Sequence, residues 1–135
     1  EKTTLKEEKE WLEKTLARIK KRQEVGLSPI VNNRIVGVYG IRLGIKIQSH
    51  IGILGISIAK DYRGEGLGKK LMEETIREAK KNLKGLRIIV LDVFETNPNA
   101  ISLYKKLGFK EYGQLPEGLF YKNKYIGEIS MFKKV

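Results

Sequence analysis

The stretch from Ile53 to Leu71 constrains the fold of this chain more than any other part of its sequence. It begins with an apolar run rich in β-branched residues, passes through a polar corner and ends in an amphipathic segment. The run is typical of a buried strand, and the last segment is typical of a helix. Between them, glycines occupy alternate positions at Gly64, Gly66 and Gly68. The sequence therefore predicts a strand that turns into a helix through a glycine-rich loop.

Such a loop is suited to binding an anion, because glycine lets backbone N–H groups approach a ligand and the first N–H groups of a helix are unpaired. We expect a phosphate-bearing ligand. The Walker pattern does not fit, since it requires glycine in place of Arg63 and serine or threonine in place of Lys70. The dinucleotide pattern G-x-G-x-x-G fails because Lys69 stands where its third glycine belongs. A glycine-rich turn without a ligand stays open at this point.

The composition excludes several classes of protein. With 135 residues, 41% of them hydrophobic, we expect one domain with one core. The absence of cysteine excludes disulfides, thiolate metal sites and a cysteine nucleophile, and His50 alone does not make a histidine-rich metal centre. The apolar runs are too short to span a bilayer and the first residues are charged. We therefore expect a cytoplasmic protein without a membrane helix or signal peptide.

The formal net charge of +11 has two interpretations. One is a surface for nucleic acid or another acidic partner. The other is the lysine- and glutamate-rich, cysteine-free usage of thermophile proteins, in which part of the surplus lysine serves a phosphorylated cofactor. The basic residues are scattered and do not cluster with aromatic residues. We therefore do not expect nucleic-acid binding to be the primary role.

The first predicted element is a helix that ends near Arg22. The segment Thr4-Leu5-Lys6-Glu7 fits a capping box, and apolar residues recur after it at helical spacing. We expect this apolar stripe to be buried, with Trp11 in the core. The stripe consists of Leu5, Trp11, Leu12, Leu16 and Ile19.

Three strands are predicted next, over residues 26–30, 34–43 and 50–59. They should form an antiparallel meander with a tight turn at Asn32-Asn33, where two asparagines tolerate positive φ. The third strand leads directly into the glycine-rich loop.

Two helices and a central strand follow the loop. The first helix starts at Gly66 and ends at Gly85, and residues 86–94 form a strand that is apolar on both sides, apart from Asp92. Asn97 is the expected N-cap of the second helix, with Pro98 at its first position. The chain should end in a hairpin. Its first strand should reach about Tyr121, and its second strand should span residues 125–132.

Two of these segments resemble the signatures of the GNAT superfamily of N-acetyltransferases. Residues 63–68 resemble [Gln or Arg]-x-x-Gly-x-Gly, and residues 97–109 resemble Asn-x-x-Ala-x-x-x-Tyr-x-x-x-Gly-Phe. The resemblance implies an α/β (α+β) fold with a mixed, mostly antiparallel central sheet that contains a β-bulge strand and is flanked by helices. Family members usually begin with a strand and a helix ahead of the first helix found here. The resemblance therefore implies one acetyltransferase domain over residues 1–135 from which that N-terminal part is missing or trimmed.

What the resemblance implies about function is transfer of an acetyl group from acetyl-CoA to a primary amine. Backbone N–H groups of the loop would hold the pyrophosphate, and backbone groups of a splayed third strand would pair with pantetheine and the thioester, with the Ile58 N–H facing the carbonyl. The implied cofactor-binding residues are Ile56, Ser57, Ile58, Arg63, Gly64, Glu65, Gly66, Leu67, Gly68, Lys69, Asn97 and Tyr104.

The family motif assigns Tyr104 as the acid that protonates the departing thiolate. For the base we favour Asp92, because a carboxylate within an apolar strand should have a raised pKa. Its position resembles that of the acidic residue in ribosomal-protein alanine acetyltransferases, where the group is a glutamate. Asp is one methylene shorter than glutamate, so we expect a relay through water. The alternative to a catalytic role is that Asp92 anchors a loop. His50 is a second candidate base.

The resemblance implies that the acceptor enters between the first helices and the last hairpin. The hairpin offers carboxylates beside tyrosines, which suit a cationic amine: Glu117, Tyr121, Tyr125 and Glu128. We expect a peptide or protein N-terminal amine, with a lysine side chain or a small polyamine as alternatives. A noncatalytic coenzyme A sensor and a nucleic-acid-binding module represent other classes, and a homodimer stays open.

Overall fold

The computed structural model describes residues 3–64 and 66–135, so Glu65 of the predicted loop lies outside the described residues. Within these residues, three α-helices and eight strands follow one another. In chain order they are α1 (Leu5–Lys20), β1 (Glu24–Leu27), β2 (Ile30–Val31), β3 (Arg34–Ile35), β4 (Gly37–Leu43), β5 (Ile51–Ile58), α2 (Leu67–Asn82), β6 (Ile88–Phe94), α3 (Pro98–Lys106), β7 (Lys110–Tyr121) and β8 (Lys124–Lys134).

Six strands form one sheet in the order β1-β4-β5-β6-β8-β7. The β5–β6 pair is parallel and the other pairs are antiparallel. The predicted mixed, mostly antiparallel sheet is therefore confirmed. The remaining two strands, β2 and β3, form a small hairpin in which Asn32 and Asn33 adopt positive φ angles of 48° and 61°. The predicted asparagine turn is thus confirmed.

Helices α2 and α3 cover the core face of the sheet. Met72 and Ala79 of α2 are fully buried, and Tyr104 of α3 packs against the same core cluster as Ile89 and Leu91 of β6. The predicted cap of α3 is confirmed, because the Ala100 N–H donates to the Asn97 side chain at 3.2 Å. Alternate residues of β6 thus form the inner wall of this core.

Helix α1 begins with the predicted capping box, in which Thr4 and Glu7 bond reciprocally. The predicted burial of its apolar stripe is wrong: Trp11 is 53% exposed, and Leu5, Leu12, Leu16 and Ile19 are exposed as well. Thr15 is the buried residue of this helix. Helical spacing identifies an apolar stripe, but whether the stripe is covered depends on elements packed from elsewhere in the chain.

The parallel pairing of β5 with β6 is short. Ile51, Gly52 and Ile53 lie opposite Ile88, Ile89 and Val90, and among the described residues the pairing ends there. From Leu54 to Ile58, β5 continues to pair with β4. The two central strands therefore separate, or splay, at the end where the chain enters the glycine-rich loop.

The register between β4 and β5 runs without a shift along this whole length. The expected β-bulge therefore does not lie in β5. Register shifts are found instead between β7 and β8, after Glu111 and after Leu115. The splay therefore comes from the short pairing of β5 with β6, not from a bulge between β4 and β5.

Within the described residues, no helix has both the length and the apolar character needed to cross a membrane.

Candidate active site

The glycine-rich loop leads directly into the N-terminus of α2. Gly64 and Gly66 adopt positive φ angles of 80° and 72°, and apart from the chain neighbours, a Cβ atom at either position would meet no described atom within 4 Å. Gly66 is the N-cap of α2, and no side chain of residues 3–64 or 66–135 caps the first turn. The first N–H groups of a 16-residue helix thus face a loop with open space beside its backbone, which suits a phosphate group.

Gly68 plays a different part. It lies in the first turn of α2, and a Cβ atom there would lie 3.6 Å from Cδ2 of Leu103 and 3.8 Å from the hydroxyl oxygen of Tyr39. Both are ordinary van der Waals distances. The Cβ position of Gly68 thus points between α3 and β4, into the protein.

The splay exposes backbone groups of β5 to a ligand. The Ala59 N–H donates to the Val36 carbonyl at 2.8 Å, on the β4 side of the strand. Since backbone groups alternate along a strand, those of Ile56 and Ile58 point to the opposite side, where pairing with β6 has ended. The Ile58 carbonyl accepts a bond from Arg63 Nε at 3.0 Å, which ties the loop to the end of this strand.

Tyr104 lies on the core face of the sheet. Its half-buried ring contacts the edge of Phe109, with centroids 6.1 Å apart. Burial raises the pKa of Tyr104 above the ordinary value of 10.0. The phenol therefore stays protonated at neutral pH and is available as a proton donor.

Asp92 lies on the other face. It is exposed, and its Oδ1 accepts a 2.6 Å bond from the Ser130 hydroxyl of β8. The expected burial of Asp92 is therefore wrong. Strand alternation places Leu91 and Val93 in the core, so Asp92 points to the face that α2 and α3 do not cover.

The register between β5 and β6 places the Asp92 side chain on the face of the sheet on which α1 lies. Ile53 lies opposite Val90, so two residues further along each strand Gly55 and Asp92 share that face. Tyr104 packs on the opposite face. The two predicted catalytic side chains thus flank the splay, one on each face of the sheet.

The four predicted acceptor residues do not gather at one place. Tyr121 contacts the edge of Phe94, with centroids 5.4 Å apart, and Glu128 lies opposite Phe94 in register, so both share the face of Asp92. Tyr125 lies opposite Phe120, in the pair next to that of Tyr121 and Lys124. Because successive residues of a strand point to opposite faces, Tyr125 lies on the other face of the sheet. Glu117 is exposed, with a positive φ of 55°, within the register shift of the hairpin.

His50 precedes β5, at the end of the strand away from the splay, where its backbone carbonyl accepts from Arg87 and Ile88. At about 3.3 Å per residue, roughly 20 Å separates it from Ile56. This position argues against His50 as the base. The described residues contain no group of three or more histidine, cysteine, aspartate or glutamate side chains that could hold a metal.

A profile of the acetyltransferase (GNAT) family matches residues 2–109. The chain belongs to the GNAT family of acetyltransferases. Members of the family take the acetyl group from acetyl-CoA.

Two curated relatives and one solved structure show how this GNAT chain is related to others. It is 43% identical over 58 residues to a probable spermine N(1)-acetyltransferase of Bacillus subtilis subsp. natto, an alignment that covers 43% of this chain and 38% of that protein. It is 39% identical over 59 residues to the ribosomal protein bS18 alanine N-acetyltransferase of Escherichia coli K12, covering 44% and 38%. The chain thus spans less than half the length of these relatives. A GNAT acetyltransferase from Streptococcus pneumoniae aligns over 98% of this chain and 77% of its own, with a TM-score of 0.84 and 31% identity.

The residues present fit a coenzyme A ligand. Open space beside Gly64 and Gly66, the start of α2 and the unpaired side of β5 lie close along the chain, where β5 leads into the loop. Asn97 is engaged as the cap of α3, so any contact with the ligand would be additional to that bond.

The sequence interpretation missed a cleft of about 430 Å³ between α1 and the sheet. Its lining includes Trp11 and Arg18 of α1, Glu24 of β1 and Ser57 of β5. Arg18 donates to Glu24 at 2.5 Å. Glu24 lies just before the first predicted strand, so no sequence signal connected it with Ser57.

Proposed function

We propose that this GNAT chain acetylates the N-terminal amine of a peptide or protein, with acetyl-CoA as the donor. The observation that carries the proposal is the splay between β5 and β6. It opens beside the glycine loop and has Tyr104 on one face and Asp92 on the other. An acid and a base on opposite sides of one gap suit direct transfer between two bound partners.

Backbone groups would hold the donor. N–H groups between Arg63 and Lys69 are suited to the pyrophosphate, and the backbone groups of Ile56 and the N–H of Ile58 to the pantetheine amides and the thioester carbonyl. Acetyl-CoA would supply the acetyl group as a thioester, and coenzyme A would depart as the free thiol. Because these contacts are made by the main chain, most side-chain substitutions would leave them in place.

Asp92 would accept the proton that the amine must lose before it attacks. At pH 7, neutralising a lysine ammonium with a pKa of ~10.4 costs about 4.6 kcal/mol, whereas an α-amine with a pKa near ~8 costs about 1.4 kcal/mol. Asp92 is exposed, so water has access to it and a relay through water can offset its short side chain. Its bond from Ser130 fixes the direction of the carboxylate.

Tyr104 would complete the transfer on the core face. Its Oη gives a proton to the sulfur of the departing thiolate, which prevents return of the acetyl group. The pKa of Tyr104, which burial raises, keeps that proton in place until the thiolate forms.

The choice of acceptor rests on charge and on the cost of deprotonation. The α-amine needs the smaller contribution from the exposed Asp92, and the bS18 alanine N-acetyltransferase is a relative that acts on such an amine. A net charge of +11 disfavours the approach of a polycation. Polyamine acetylation is the second candidate, because Asp92 and Glu128 share one face and a spermine acetyltransferase is also a relative.

Thiol release from acetyl-CoA tests this proposal across three acceptors. These are a peptide with a free N-terminal alanine, the same peptide blocked at its N-terminus and carrying an internal lysine, and spermine. We expect the highest kcat/KM for the first peptide and a loss of about 100-fold in Tyr104→Phe. The exposed Tyr112, in Tyr112→Phe, is the matched control.

Other outcomes are distinguishable. Faster turnover of spermine would replace the peptide acceptor with a polyamine. A rise in melting temperature with coenzyme A, but no thiol release with any acceptor, would indicate a noncatalytic sensor. At 100 times its Kd the ligand should add about 2.7 kcal/mol to the free energy of unfolding, so no rise at all would refute coenzyme A binding.

A further inference from the structure

The cleft between α1 and the sheet has no role in the proposed mechanism. Its volume is about 430 Å³, and it lies on the face of the sheet that α2 and α3 do not cover. Trp11 of α1 lines the cleft and is 53% exposed, and Gly40 of β4 and Gly55 of β5 line it as well. Because Gly55 and Asp92 share one face, the cleft lies on the face that carries the proposed base.

Three glycines aligned across the sheet explain why this face is hollow. Gly26 lies opposite Gly40, and Gly40 lies opposite Gly55, so the row crosses β1, β4 and β5. Apart from the chain neighbours, a Cβ atom at Gly55 would meet no described atom within 4 Å. At about 4.8 Å between neighbouring strands, the row is roughly 10 Å long, which an extended segment of about three residues matches.

The charged side chains of the cleft favour an acidic occupant. Arg18 pairs with Glu24 at 2.5 Å and also donates to the Thr15 hydroxyl at 3.0 Å, so both partners of this pair are engaged. Arg42 lies opposite Glu24 in register and lines the same cleft. It is exposed and forms no ion pair with residues 3–64 or 66–135. Two arginines against one glutamate disfavour a polycation such as spermine in this cleft.

Arg42 also lies near the path of an acceptor that reaches Asp92. Ile53 lies directly opposite Arg42, so Gly55 is the diagonal neighbour of Arg42 on this face. Diagonal neighbours are about 7–8 Å apart, within the reach of a long side chain. A peptide whose amine lies at Asp92 and whose next residues cross Gly55 therefore brings their side chains within reach of the Arg42 guanidinium.

We propose that the cleft binds the first residues of the acceptor peptide, and that Arg42 selects acceptors with an aspartate or glutamate at the second or third position. The inference rests on the proposed function. The guanidinium of Arg42 donates two N–H bonds to the acceptor carboxylate, a pairing that its planar fork favours. The glycine row leaves room for the peptide backbone, and Trp11 covers it from the α1 side.

Three peptides and two charge-reversal variants test the selection. The peptides begin with alanine, followed by two aspartates, two asparagines or two lysines, and are otherwise identical. We expect the wild type to prefer the aspartate peptide over the asparagine peptide about 5-fold in kcat/KM, the effect of an exposed ion pair. Arg42→Glu should make the lysine peptide the best acceptor. Arg34→Glu changes the net charge equally at an exposed position outside the cleft and should keep the wild-type order.

Two further measurements test where the peptide binds. Trp11 is the one tryptophan of the chain, so its fluorescence should change when the aspartate peptide is titrated in the presence of coenzyme A, which has no acetyl group to transfer. Arg42→Glu should weaken this binding. Gly55→Val should lower kcat/KM for the peptide about 10-fold or more, because its side chain fills the cleft. Since valine suits a strand, the melting temperature of this variant and its rise with coenzyme A should not fall below those of the wild type.

The possible failures have different meanings. If the wild type acetylates the three peptides equally or prefers lysine, or if Arg34→Glu changes the order as much as Arg42→Glu, Arg42 does not select the acceptor and the proposed function stands. If Gly55→Val keeps its stability and its full kcat/KM, the peptide does not cross the glycine row, and the inference is again overturned alone. If the wild type releases thiol with none of the peptides, the proposed function fails and the inference fails with it.

Discussion

Two glycines only two positions apart should respond to alanine in opposite ways. Gly66 has a φ of 72°, and a Cβ there would meet no described atom within 4 Å beyond its chain neighbours, so we expect its substitution to cost energy through backbone conformation. Gly68 lies within α2, where its Cβ position is in ordinary contact with Leu103 and Tyr39. Alanine therefore fits at Gly68 and strains the backbone at Gly66.

The magnitudes follow from these conformations. An L-residue in the left-handed region costs about 1–2 kcal/mol, so Gly66→Ala should lose that much stability. Replacing glycine by alanine in a helix gains about 0.5–1 kcal/mol, so Gly68→Ala should be more stable than the wild type. At roughly 4 °C per kcal/mol for a chain of this size, the two variants should melt about 6–12 °C apart.

Thermal unfolding followed by circular dichroism, with and without coenzyme A, measures both effects. Gly68→Ala should keep the full rise in melting temperature on adding coenzyme A, because its Cβ points into the protein. Gly66→Asn is the matched control, since asparagine tolerates positive φ and should recover part of the loss. A Gly68→Ala variant that is destabilised, or that loses its response to coenzyme A, would refute this account of the loop.

Three further predictions concern the site and its supports. Asp92→Asn should lower kcat about 100-fold or more while leaving the melting temperature within ~1 °C, as measured by thiol release and thermal melting; an unchanged kcat would remove Asp92 as the base. Asn97→Ala should cost about 1 kcal/mol of stability through loss of the α3 cap, measured by urea unfolding, whereas the exposed Asn99→Ala should be nearly neutral; equal losses would contradict the cap. Burial raises the pKa of Tyr39 and Tyr104, so above pH 10 the unfolded chain loses phenol protons that the folded chain keeps. The free energy of unfolding should therefore fall as the pH rises from 10 through the folded pKa values. Urea unfolding between pH 8 and 11 should show a shallower fall in Tyr104→Phe, and an equal fall would contradict the burial of this phenol.

Local chemistry made the loop and the helix caps predictable from the sequence. The asparagine N-cap and the asparagine turn each depend on a few neighbouring residues, and the structure confirms them at Asn97 and Asn32-Asn33. Whether Trp11 is buried or exposed could not be predicted in the same way. Its spacing fits an apolar stripe, but covering that stripe requires a partner element, which residue spacing does not encode.

Asp92 shows how strand alternation changes a functional argument. A run of apolar residues suggests a strand covered on both faces, and from that pattern a carboxylate within it looks buried. The register instead places Asp92 beside Ser130 on the open face, so its suitability as a base depends on its direction and its access to water rather than on burial. The same alternation puts Tyr39 of β4 on the buried face, against which Tyr104 of α3 packs, and there a phenol keeps its proton. In the proposed reaction the sheet thus separates a wet face that removes a proton from the amine and a dry face that delivers one to the thiolate.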